Sequence, residues 1–542
     1  MSKKLATILL WSLVAGAVVF NIIWIGLNQS PPLWDIAGHS NRSAYFAQML
    51  SQGEFKAIFN FDTIYPPFAY LVTAFLFLIG GWSPLIPALS LIPFLILFIL
   101  ATYSLGYSLF RRRGLALAAA ALALAYPLLA HFTRIYDLDF PQVALTTAAI
   151  AALLKTNHFT ERRWVIWSAV AIALALLTKW TAVIFIVLPL VWELGAALKN
   201  KITWKKLLLN LAILAGLILV IVLPWYLVHG REIYDSSIAT RHNVFSVPFE
   251  NLWSWGNLSF YADQTVRGIT WPLAIAFIIG LICLGWQHKK QFWYILLALV
   301  LPYLFLTFAL YSKESRYFLP VFPLLALSTV FFLAVLPGKW RWWGGGALAV
   351  AAGIFWLQTS FGVLIIFVSA RDALQLTNTY GLQAVTVEKP YFGFTYPTAY
   401  QANLPEIAQK LKEEVESAKT PGQTVKVAVV PNSIFLSGQP LEFYTRLNGL
   451  NQPNGKYRMD FSYSSKVRGS DWREQIIQAD YLITKTGDQG PLIWGPALKE
   501  IREAEASRDQ IFTEDFELVQ TWILRGIEVD NQEARLYRRN NQ

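Results

Sequence analysis

The sequence has few of the residues that mark disulfide-bonded or soluble proteins. Among its 542 residues there is one cysteine, Cys283, so no disulfide can form within the chain. Only 15% of the residues are charged, whereas a soluble protein of this size carries roughly a quarter. The net charge of +11 comes with basic residues gathered in short connections between apolar runs, which is a membrane-protein pattern. The composition therefore excludes an ordinary soluble protein and argues against nucleic-acid binding.

Hydrophobic residues are abundant instead, at 55% of the chain, and they occur in long unbroken runs. A run of about 18 apolar residues is long enough to cross a bilayer core of roughly 30 Å. The lengths of the runs predict about eleven membrane spans, at residues 5–27, 85–110, 115–130, 140–154, 164–177, 180–198, 207–228, 269–286, 292–310, 317–336 and 343–369. A shorter apolar stretch, residues 66–80, is predicted to be a helix that begins at a Pro-Pro pair and dips into the outer leaflet.

The charges on alternate connections differ in sign, and this difference predicts the topology. Basic clusters such as Lys3/Lys4, residues 111–113 and residues 199–206 fall on one side of the eleven spans, which the positive-inside rule makes cytoplasmic. Acidic residues, among them Asp35 and Asp137, fall on the other side. The sequence therefore predicts a multi-pass protein with a cytoplasmic N-terminus, retained as a signal-anchor, and an extracytoplasmic C-terminus.

The composition changes after the last apolar run. Residues 371–542 are polar and contain an amphipathic helical segment, Leu404–Ala418, followed by strand-like segments at residues 425–430, 481–484, 517–524 and 534–538. We therefore predict two domains: an all-α polytopic membrane domain, residues 1–370, and an extracytoplasmic α/β domain, residues 371–542.

Asp35 and His39 lie in the first outer loop, close to the end of the first span. A carboxylate in this position can act as a general base toward an acceptor hydroxyl, or can bind a divalent metal such as Mg, Mn or Zn. It can equally be a solvated loop acid or the cap of a helix. If the segment is helical, His39 at i+4 shares a face with Asp35, where it could orient the carboxylate, share a metal or simply pack.

Asp137 and Asp139 lie in the next outer loop, on the lip of a span. Two carboxylates there are costly unless they are solvated, paired or bound to metal. Asp139 precedes Pro141, so a helix-terminal role is an equal alternative. Arg134, in the same loop, could neutralise either acid.

Three further cations are predicted to be on the outer side, although the positive-inside rule places most basic residues on the cytoplasmic side. Lys179 lies between two apolar runs, where it could either reach toward the membrane surface or hold a phosphate. Lys313 and Arg316 flank Glu314 before the tenth predicted span. Cations in this position need an anionic partner, either Glu314 or a lipid phosphate, and the forked donors of arginine suit phosphate best.

Several motifs in this order resemble those of the GT-C superfamily of polytopic glycosyltransferases. They are Asp35 in a long first outer loop, Tyr65 before Pro66-Pro67 and a short apolar helix, Asp137 and Asp139 heading a span, and residues 177–179, 224–226 and 316–320 (LTK, PWY and RYFLP). The resemblance covers residues 1–370 and is nearest to two groups. These are the dolichyl-phosphate-mannose protein O-mannosyltransferases (glycosyltransferase family 39) and the bacterial lipid A aminoarabinose transferases. Ile36 and Tyr65 depart from the Asp-Glu and His-Pro-Pro patterns of many relatives.

The resemblance implies inverting transfer of a sugar from a polyprenyl-phosphate donor to an acceptor hydroxyl of a protein, lipid or glycan. The reaction is expected at the extracytoplasmic face of a bacterial plasma membrane. Asp35 is then the expected general base, while Asp137 and Asp139 position the sugar or acceptor or share a metal. Lys179 and Arg316 are expected to stabilise the departing phosphate. The remaining expected substrate contacts are His39, Tyr65, Arg134, Lys313 and Tyr317.

Two other functions remain open on the sequence. A transporter or flippase of a lipid-linked saccharide is possible in principle, but transporters place charged or broken helices near the midplane and often contain internal repeats. Here the acids lie in loops and no repeat is visible. A membrane-anchored binding protein is the second alternative, although eleven spans are far more than an anchor needs.

Overall fold

The computed structural model describes residues 1–32, 34–61, 63–200, 202–239, 251–310, 313–361, 397, 403–432, 436–451, 456–463, 472–487, 498–507, 509, 511–524 and 532–540. Its contacts divide the chain into two compact units. The first unit comprises Met1–Trp24, Phe59–Ala69 and Ala88–Glu388. The second comprises Ile25–Ile58, Tyr70–Pro87 and Lys389–Gln542. Most of the first predicted outer loop therefore belongs with the C-terminal residues.

Helices account for most of the described chain up to residue 361. They are α1 Lys3–Leu27, α2 Trp34–Ser51, α3 Phe55–Phe59, α4 Phe68–Gly80, α5 Ile86–Leu89, α6 Ile92–Phe110, α7 Arg113–Ala125, α8 Pro127–Phe132, α9 Asp139–Lys155, α10 Arg162–Leu176, α11 Ala182–Lys199, α12 Trp204–Ala239, α13 Trp255–Ile269, α14 Trp271–Gln287, α15 Lys289–Phe308, a 3-10 helix Ser315–Val321, α16 Phe322–Val335 and α17 Gly338–Phe361. Each of the eleven predicted spans is largely helical where the structure describes it.

Within the described residues, seven helices are long and apolar enough to cross a membrane, and eight if α13 and α14 form one bent span. The predicted all-α polytopic membrane architecture is confirmed. The count of eleven stays a prediction, because α7, α9 and α10 contain only 13, 17 and 15 residues. Helix α4 begins just after the Pro-Pro pair, as predicted, and its 13 residues are too short to cross the bilayer alone.

Three of the observed spans differ from the prediction, two because the helix is interrupted and one because it is longer. The third is broken at Tyr126, whose ψ of 122° is extended because the following residue is Pro127. The tenth starts as the 3-10 helix, which contains Pro320, and becomes α-helical only at Phe322. The seventh, predicted to end at residue 228, continues to Ala239 as a helix of 36 residues, about 54 Å long.

Helices α13 and α14 meet at an angle of 111°. The bend is at Thr270, where a φ of 76° interrupts the helix. Helix α14 then packs closely on α16, since a Cβ on Gly280 would lie 1.9 Å from the carbonyl oxygen of Ser328. A small residue at this point lets the two backbones approach, as it does in many membrane helix pairs.

The C-terminal part of the second unit is an α/β domain, as predicted. Its elements are α18 Leu404–Ala418, β1 Thr424–Val429, α19 Gly438–Leu447, β2 Arg458–Tyr463, α20 Trp472–Ile477, β3 Tyr481–Lys485, α21 Leu498–Ala506, a π-helix Ile511–Asp515, β4 Phe516–Leu524 and β5 Gln532–Arg539. The strand order is β2-β1-β3-β5-β4, with β1 parallel to β2 and β3, and β5 antiparallel to β3 and β4.

Two apolar clusters cover the sheet of this domain. The first cluster includes Leu411 of α18 and Leu441 of α19, and the second includes Ile476 of α20 and Ile501 of α21. Each helix therefore buries an apolar face against the strands. The tryptophans at positions 472 and 522 are buried in these clusters, so they are core residues, while the one at 494 lies outside the described residues. The sequence did not predict β2, α19 or α21.

Candidate active site

A buried cluster of carboxylates and cations lies in the first unit. Asp139 is the first residue of α9, and Asp137 lies just before it in the turn after α8. Lys179, in the turn between α10 and α11, donates a hydrogen bond of 2.7 Å to Asp139 Oδ1. Arg316, in the 3-10 helix, donates through Nη1 to Asp137 Oδ2, and its Nε lies 3.6 Å from Asp139 Oδ2. Tertiary packing thus gathers residues that are far apart in sequence.

Glu314 and Tyr317 complete the cluster. Glu314 Oε2 lies 2.7 Å from Arg316 Nε, and its other oxygen accepts a 3.0 Å hydrogen bond from the Tyr317 hydroxyl. The ring of Tyr317 lies beneath the Lys179 ammonium, 5.0 Å from ring centroid to Nζ. Three carboxylates therefore share two cations. The electrostatic neighbours of Tyr317 also include Tyr65, which links the Tyr65-Pro66-Pro67 motif to this cluster.

Asp137 and Asp139 are both paired with cations. Asp139 also lies in the first turn of α9, where a carboxylate complements the helix dipole, although the N-cap residue itself is Leu138. Asp139 Oδ2 is buried and accepts no hydrogen bond from the part of the chain that the structure describes. This oxygen retains the capacity to accept a hydrogen bond from a hydroxyl group.

Lys313 and Arg316 were both expected to pair with Glu314 or with a phosphate, and Arg316 does pair with Glu314. The Lys313 ammonium donates hydrogen bonds of 2.6 Å to the carbonyls of Leu306 and Thr307, in the last turn of α15. A cation in this position complements the carbonyl end of the helix. Burial lowers the pKa of Lys313 to about 8.

Arg134 does not neutralise Asp137 or Asp139, so that prediction is wrong. Its Nε donates a 2.9 Å hydrogen bond to the carbonyl of Ala130, and its guanidinium lies over the rings of Trp24 and Phe20, at 4.9 and 5.3 Å. Among the described residues it makes no ion pair, and Arg316 and Lys179 supply the cations instead. The sequence could not reveal that the Arg134 side chain points away from Asp137, because the two residues lie three positions apart in an irregular turn, where spacing does not fix side-chain direction.

Asp35 and His39 belong to the second unit, on α2. The segment is helical, and Asp35 is in its first turn, where a carboxylate complements the helix dipole. Its side chain is partly accessible. His39, one turn further on, is buried, and its Nδ1 lies 2.8 Å from the hydroxyl of Tyr70. A partly accessible carboxylate in this position is compatible with general-base chemistry.

The predicted metal ligands are Asp35 and His39, and the resemblance added Asp137 or Asp139 as a shared ligand. Within the described ranges, no three His, Cys, Asp or Glu side chains converge into a group that could hold a metal ion. Mg²⁺ is commonly bound through one or two carboxylates together with substrate phosphates and needs no such group, so the metal stays a prediction.

The helix that carries Asp35 is held by the C-terminal domain, a function of that domain which the sequence did not reveal. Arg446 of α19 donates hydrogen bonds of 2.5 Å to Asn41 Oδ1 and 2.8 Å to Gln48 Oε1, both on α2. At the start of α2, Trp34 Nε1 donates a 3.0 Å hydrogen bond to Asn432 Oδ1. Trp34 has a φ of 28°, which a bulky residue adopts only when its surroundings impose it. No local signal marked Arg446 or Trp34.

Comparisons with known proteins agree with this architecture. Residues 65–226, which include Tyr65, Asp137, Asp139 and Lys179, match the family model described as dolichyl-phosphate-mannose-protein mannosyltransferase. No curated protein matches the sequence of the chain.

The structure is similar to that of ArnT from Cupriavidus metallidurans bound to undecaprenyl phosphate, with a TM-score of 0.58, 15% identity and 97% of each chain covered. The Archaeoglobus fulgidus oligosaccharyltransferase, solved in complex with Zn and sulfate, gives a TM-score of 0.51 and 12% identity over 87% of this chain and 67% of that one. The mycobacterial arabinofuranosyltransferase AftD gives a TM-score of 0.50 and 14% identity, over 100% of this chain and 40% of that one.

These similarities show that the chain shares its fold with ArnT and with the oligosaccharyltransferase, and that residues 65–226 resemble the protein mannosyltransferases. The match to ArnT covers nearly the whole of both chains. It therefore includes the C-terminal α/β domain, for which the sequence motifs gave no relative.

Proposed function

We propose that this protein is a membrane glycosyltransferase that moves a sugar from a polyprenyl-phosphate donor to an acceptor hydroxyl, with inversion, on the extracytoplasmic side of a bacterial plasma membrane. The observation that carries the proposal is the buried cluster of Asp137, Asp139, Lys179 and Arg316 within an apolar helical frame. A similar fold holds undecaprenyl phosphate in ArnT.

Lys179 and Arg316 are assigned to the donor phosphate. As the bond between the sugar and the phosphate breaks, negative charge grows on the phosphate oxygens. Fixed cations near those oxygens stabilise this charge without reorganising during the reaction. Asp137 and Glu314 keep the Arg316 guanidinium in place, which is the preorganisation that such stabilisation needs. The phosphate is already a good leaving group, so no protein acid has to protonate it.

Asp139 is assigned to the sugar. Its Oδ1 accepts the hydrogen bond from Lys179, while Oδ2 accepts none from the described residues. A sugar hydroxyl that donates to Oδ2 would be fixed relative to the cations on either side, and this contact would set the orientation of the reacting carbon. Tyr65 and Tyr317 line the same neighbourhood and are assigned to donor contacts.

Asp35 is assigned as the general base that takes the proton of the acceptor hydroxyl, with His39 as a neighbouring acceptor contact. This assignment comes from the resemblance to GT-C enzymes and from the partly accessible position of Asp35 at the start of α2. The acceptor is a protein, lipid or glycan. Inversion follows when the activated hydroxyl attacks from the side opposite the departing phosphate.

The test is sugar transfer by the purified full-length protein in liposomes, with undecaprenyl-phosphate donors that carry different labelled sugars. We expect Asp35→Asn to reduce turnover by about 10²- to 10⁴-fold, the usual contribution of a general base. Asp139→Asn should lower both turnover and donor affinity. Glu54→Gln, an exposed acid in the same outer segment, is the matched control and should retain activity. A chelator arm, followed by addition of Mg, Mn or Zn, tests the metal prediction separately.

Normal turnover by Asp35→Asn would refute its role as base. If the wild-type protein moved the labelled donor across the liposome membrane without transferring sugar to any acceptor, the transporter hypothesis would replace the enzyme.

A further inference from the structure

A cavity of about 590 Å³ lies in the first unit, next to Arg134. Its walls come from α1, α7, α16 and α17, and the lining is largely apolar with many small residues, such as Gly16, Ala121 and Gly353. This volume is within the usual range of ligand pockets, about 300–1,000 Å³, so one acyl chain can be accommodated. An apolar cavity of this size does not favour water, since few polar atoms line it.

One charged group borders this cavity. Arg134 is only 2% exposed, and neither Nη1 nor Nη2 has a hydrogen-bond partner among the described residues. Two polar neighbours of Arg134 are engaged with each other or with the backbone: Thr133 donates to Asn21 Oδ1 at 3.0 Å, and Asn21 donates to the carbonyl of Ala17 at 2.8 Å. A buried guanidinium with two unsatisfied donors is costly, so an anionic acceptor at this point would be strongly favoured.

The guanidinium is held in a fixed orientation, and both Nη nitrogens are buried without an acceptor among the described residues. Nε is bonded to the carbonyl of Ala130, and the rings of Trp24 and Phe20 lie against the cationic plane. Trp24 is itself fixed, because its Nε1 donates a 2.7 Å hydrogen bond to the carbonyl of Ser360. Two parallel N–H donors in a fixed plane match a phosphate or carboxylate in a bidentate arrangement.

The rim of the cavity lies along helices α1 and α17, both of which are long and apolar enough to span the membrane. Ser12 of α1 and Ala349 of α17 line the cavity and are exposed. Exposed faces of spanning helices contact lipid, so an acyl chain can enter sideways from the bilayer. Arg134 lies in a connection predicted to be extracytoplasmic, which places a lipid headgroup at the outer leaflet.

We propose that this cavity is a binding site for an anionic phospholipid of the bilayer, distinct from the donor site, with one acyl chain in the cavity and the phosphate on the Nη donors of Arg134. The occupant is assigned as a phospholipid rather than the sugar donor because Arg134 makes no ion pair, among the described residues, with the carboxylate cluster to which the donor phosphate is assigned. The bound lipid would satisfy the buried cation and fill the space between α1 and α17.

The test titrates purified, delipidated full-length protein with dioleoylphosphatidylglycerol and, in parallel, with dioleoylphosphatidylcholine, and counts bound lipid by native mass spectrometry. Arg134→Gln should weaken phosphatidylglycerol binding by about tenfold or more, the size of a lost charge-assisted bidentate contact. Arg134→Lys should retain part of the affinity. Phosphatidylcholine, which has no net negative charge, should bind less well than phosphatidylglycerol to the wild-type protein and gain nothing from Arg134.

A second variant blocks the tail without touching the cation. A Cβ on Gly16 meets no atom within 4 Å, so Gly16→Leu can be accommodated and would occupy the cavity. It should reduce phosphatidylglycerol binding as Arg134→Gln does. Arg231→Gln is the control, since Arg231 is exposed and faces Asp235 at 3.8 Å.

Unchanged phosphatidylglycerol binding in both Arg134→Gln and Gly16→Leu would overturn the proposal. So would displacement of phosphatidylglycerol by an equal amount of undecaprenyl phosphate that depends on Arg134, because the cavity would then belong to the donor. Binding is measured without turnover, so either result is independent of the proposed reaction.

Discussion

Removal of the Arg316 side chain tests the physical basis of the buried cluster. The guanidinium contacts three carboxylates: it donates to Asp137, its Nε is 2.7 Å from Glu314, and Asp139 Oδ2 lies 3.6 Å away. Arg316→Met leaves three acids to share the single cation Lys179, so the excess of negative charge grows from one to two. The side chains of Asp137 and Asp139 are 2% and 1% exposed, so water cannot compensate.

Breaking a buried ion pair by removing one partner costs about 3–5 kcal/mol, and the shared role of Arg316 places this change at the upper end. At about 2–4 °C for each kcal/mol, thermal unfolding should shift downward by on the order of 10 °C. Arg316→Lys restores the charge but not the fork, so it should recover only part of the loss. The measurement is thermal unfolding of the purified protein in detergent, followed by intrinsic fluorescence.

Arg267→Met is the control, because Arg267 pairs with Asp263 at 2.9 Å on an exposed surface. Loss of such a pair costs about 0–1 kcal/mol. The double variant Arg316→Met with Asp137→Asn should be less destabilised than Arg316→Met alone, since it removes one uncompensated charge. If Arg316→Met unfolded at the same temperature as Arg267→Met, the cluster would not be a buried electrostatic unit and the reasoning would fail.

Three further predictions concern other parts of the molecule. Gly280→Ala should lower the unfolding temperature, because the added Cβ meets the backbone carbonyl of Ser328. Gly346→Ala on α17, where nothing lies within 4 Å of the added Cβ, should leave it unchanged. Equal stability of the two variants would contradict the close approach of α14 and α16. Arg446→Met should lower the rate of sugar transfer, because the substitution removes the hydrogen bonds that hold α2 to α19, although Arg446 itself is assigned no substrate contact. Unaltered kinetics would show that these hydrogen bonds do not position α2. The pKa of Lys313 is lowered to about 8, so the folded state binds this proton less tightly than the unfolded state, and stability should rise between pH 8 and about 10.4. This rise should be absent in Lys313→Met when unfolding is measured across that pH range.

The sequence by itself determined the membrane architecture. Runs of apolar residues were enough to predict every span as helical, because a chain in the bilayer must satisfy its backbone hydrogen bonds within its own helices. The change of composition after the last run predicted the α/β domain, and the amphipathic pattern of Leu404–Ala418 predicted a helix with the same bounds. The breaks at Tyr126 and within residues 315–321 were not predicted, although prolines mark both.

Four charged residues of the buried cluster were singled out from the sequence, but their pairings were not predicted. A charged side chain next to an apolar run is energetically costly, and such residues can be recognised from the sequence alone. This reasoning identified Asp137, Asp139, Lys179 and Arg316. The ion-pair partners of these residues cannot be recognised in the same way. Arg134 was the nearest cation in sequence to Asp137, yet the side chain that pairs with Asp137 is Arg316, 179 positions away.

Only the tertiary structure decided which side chains meet. Arg134 turns instead to a cavity formed by four helices, and α2, with Asp35, is held by Arg446 from the C-terminal domain. Local pattern sets hydrophobicity and helix propensity over a few turns, whereas these contacts depend on how distant helices pack, which no short segment encodes.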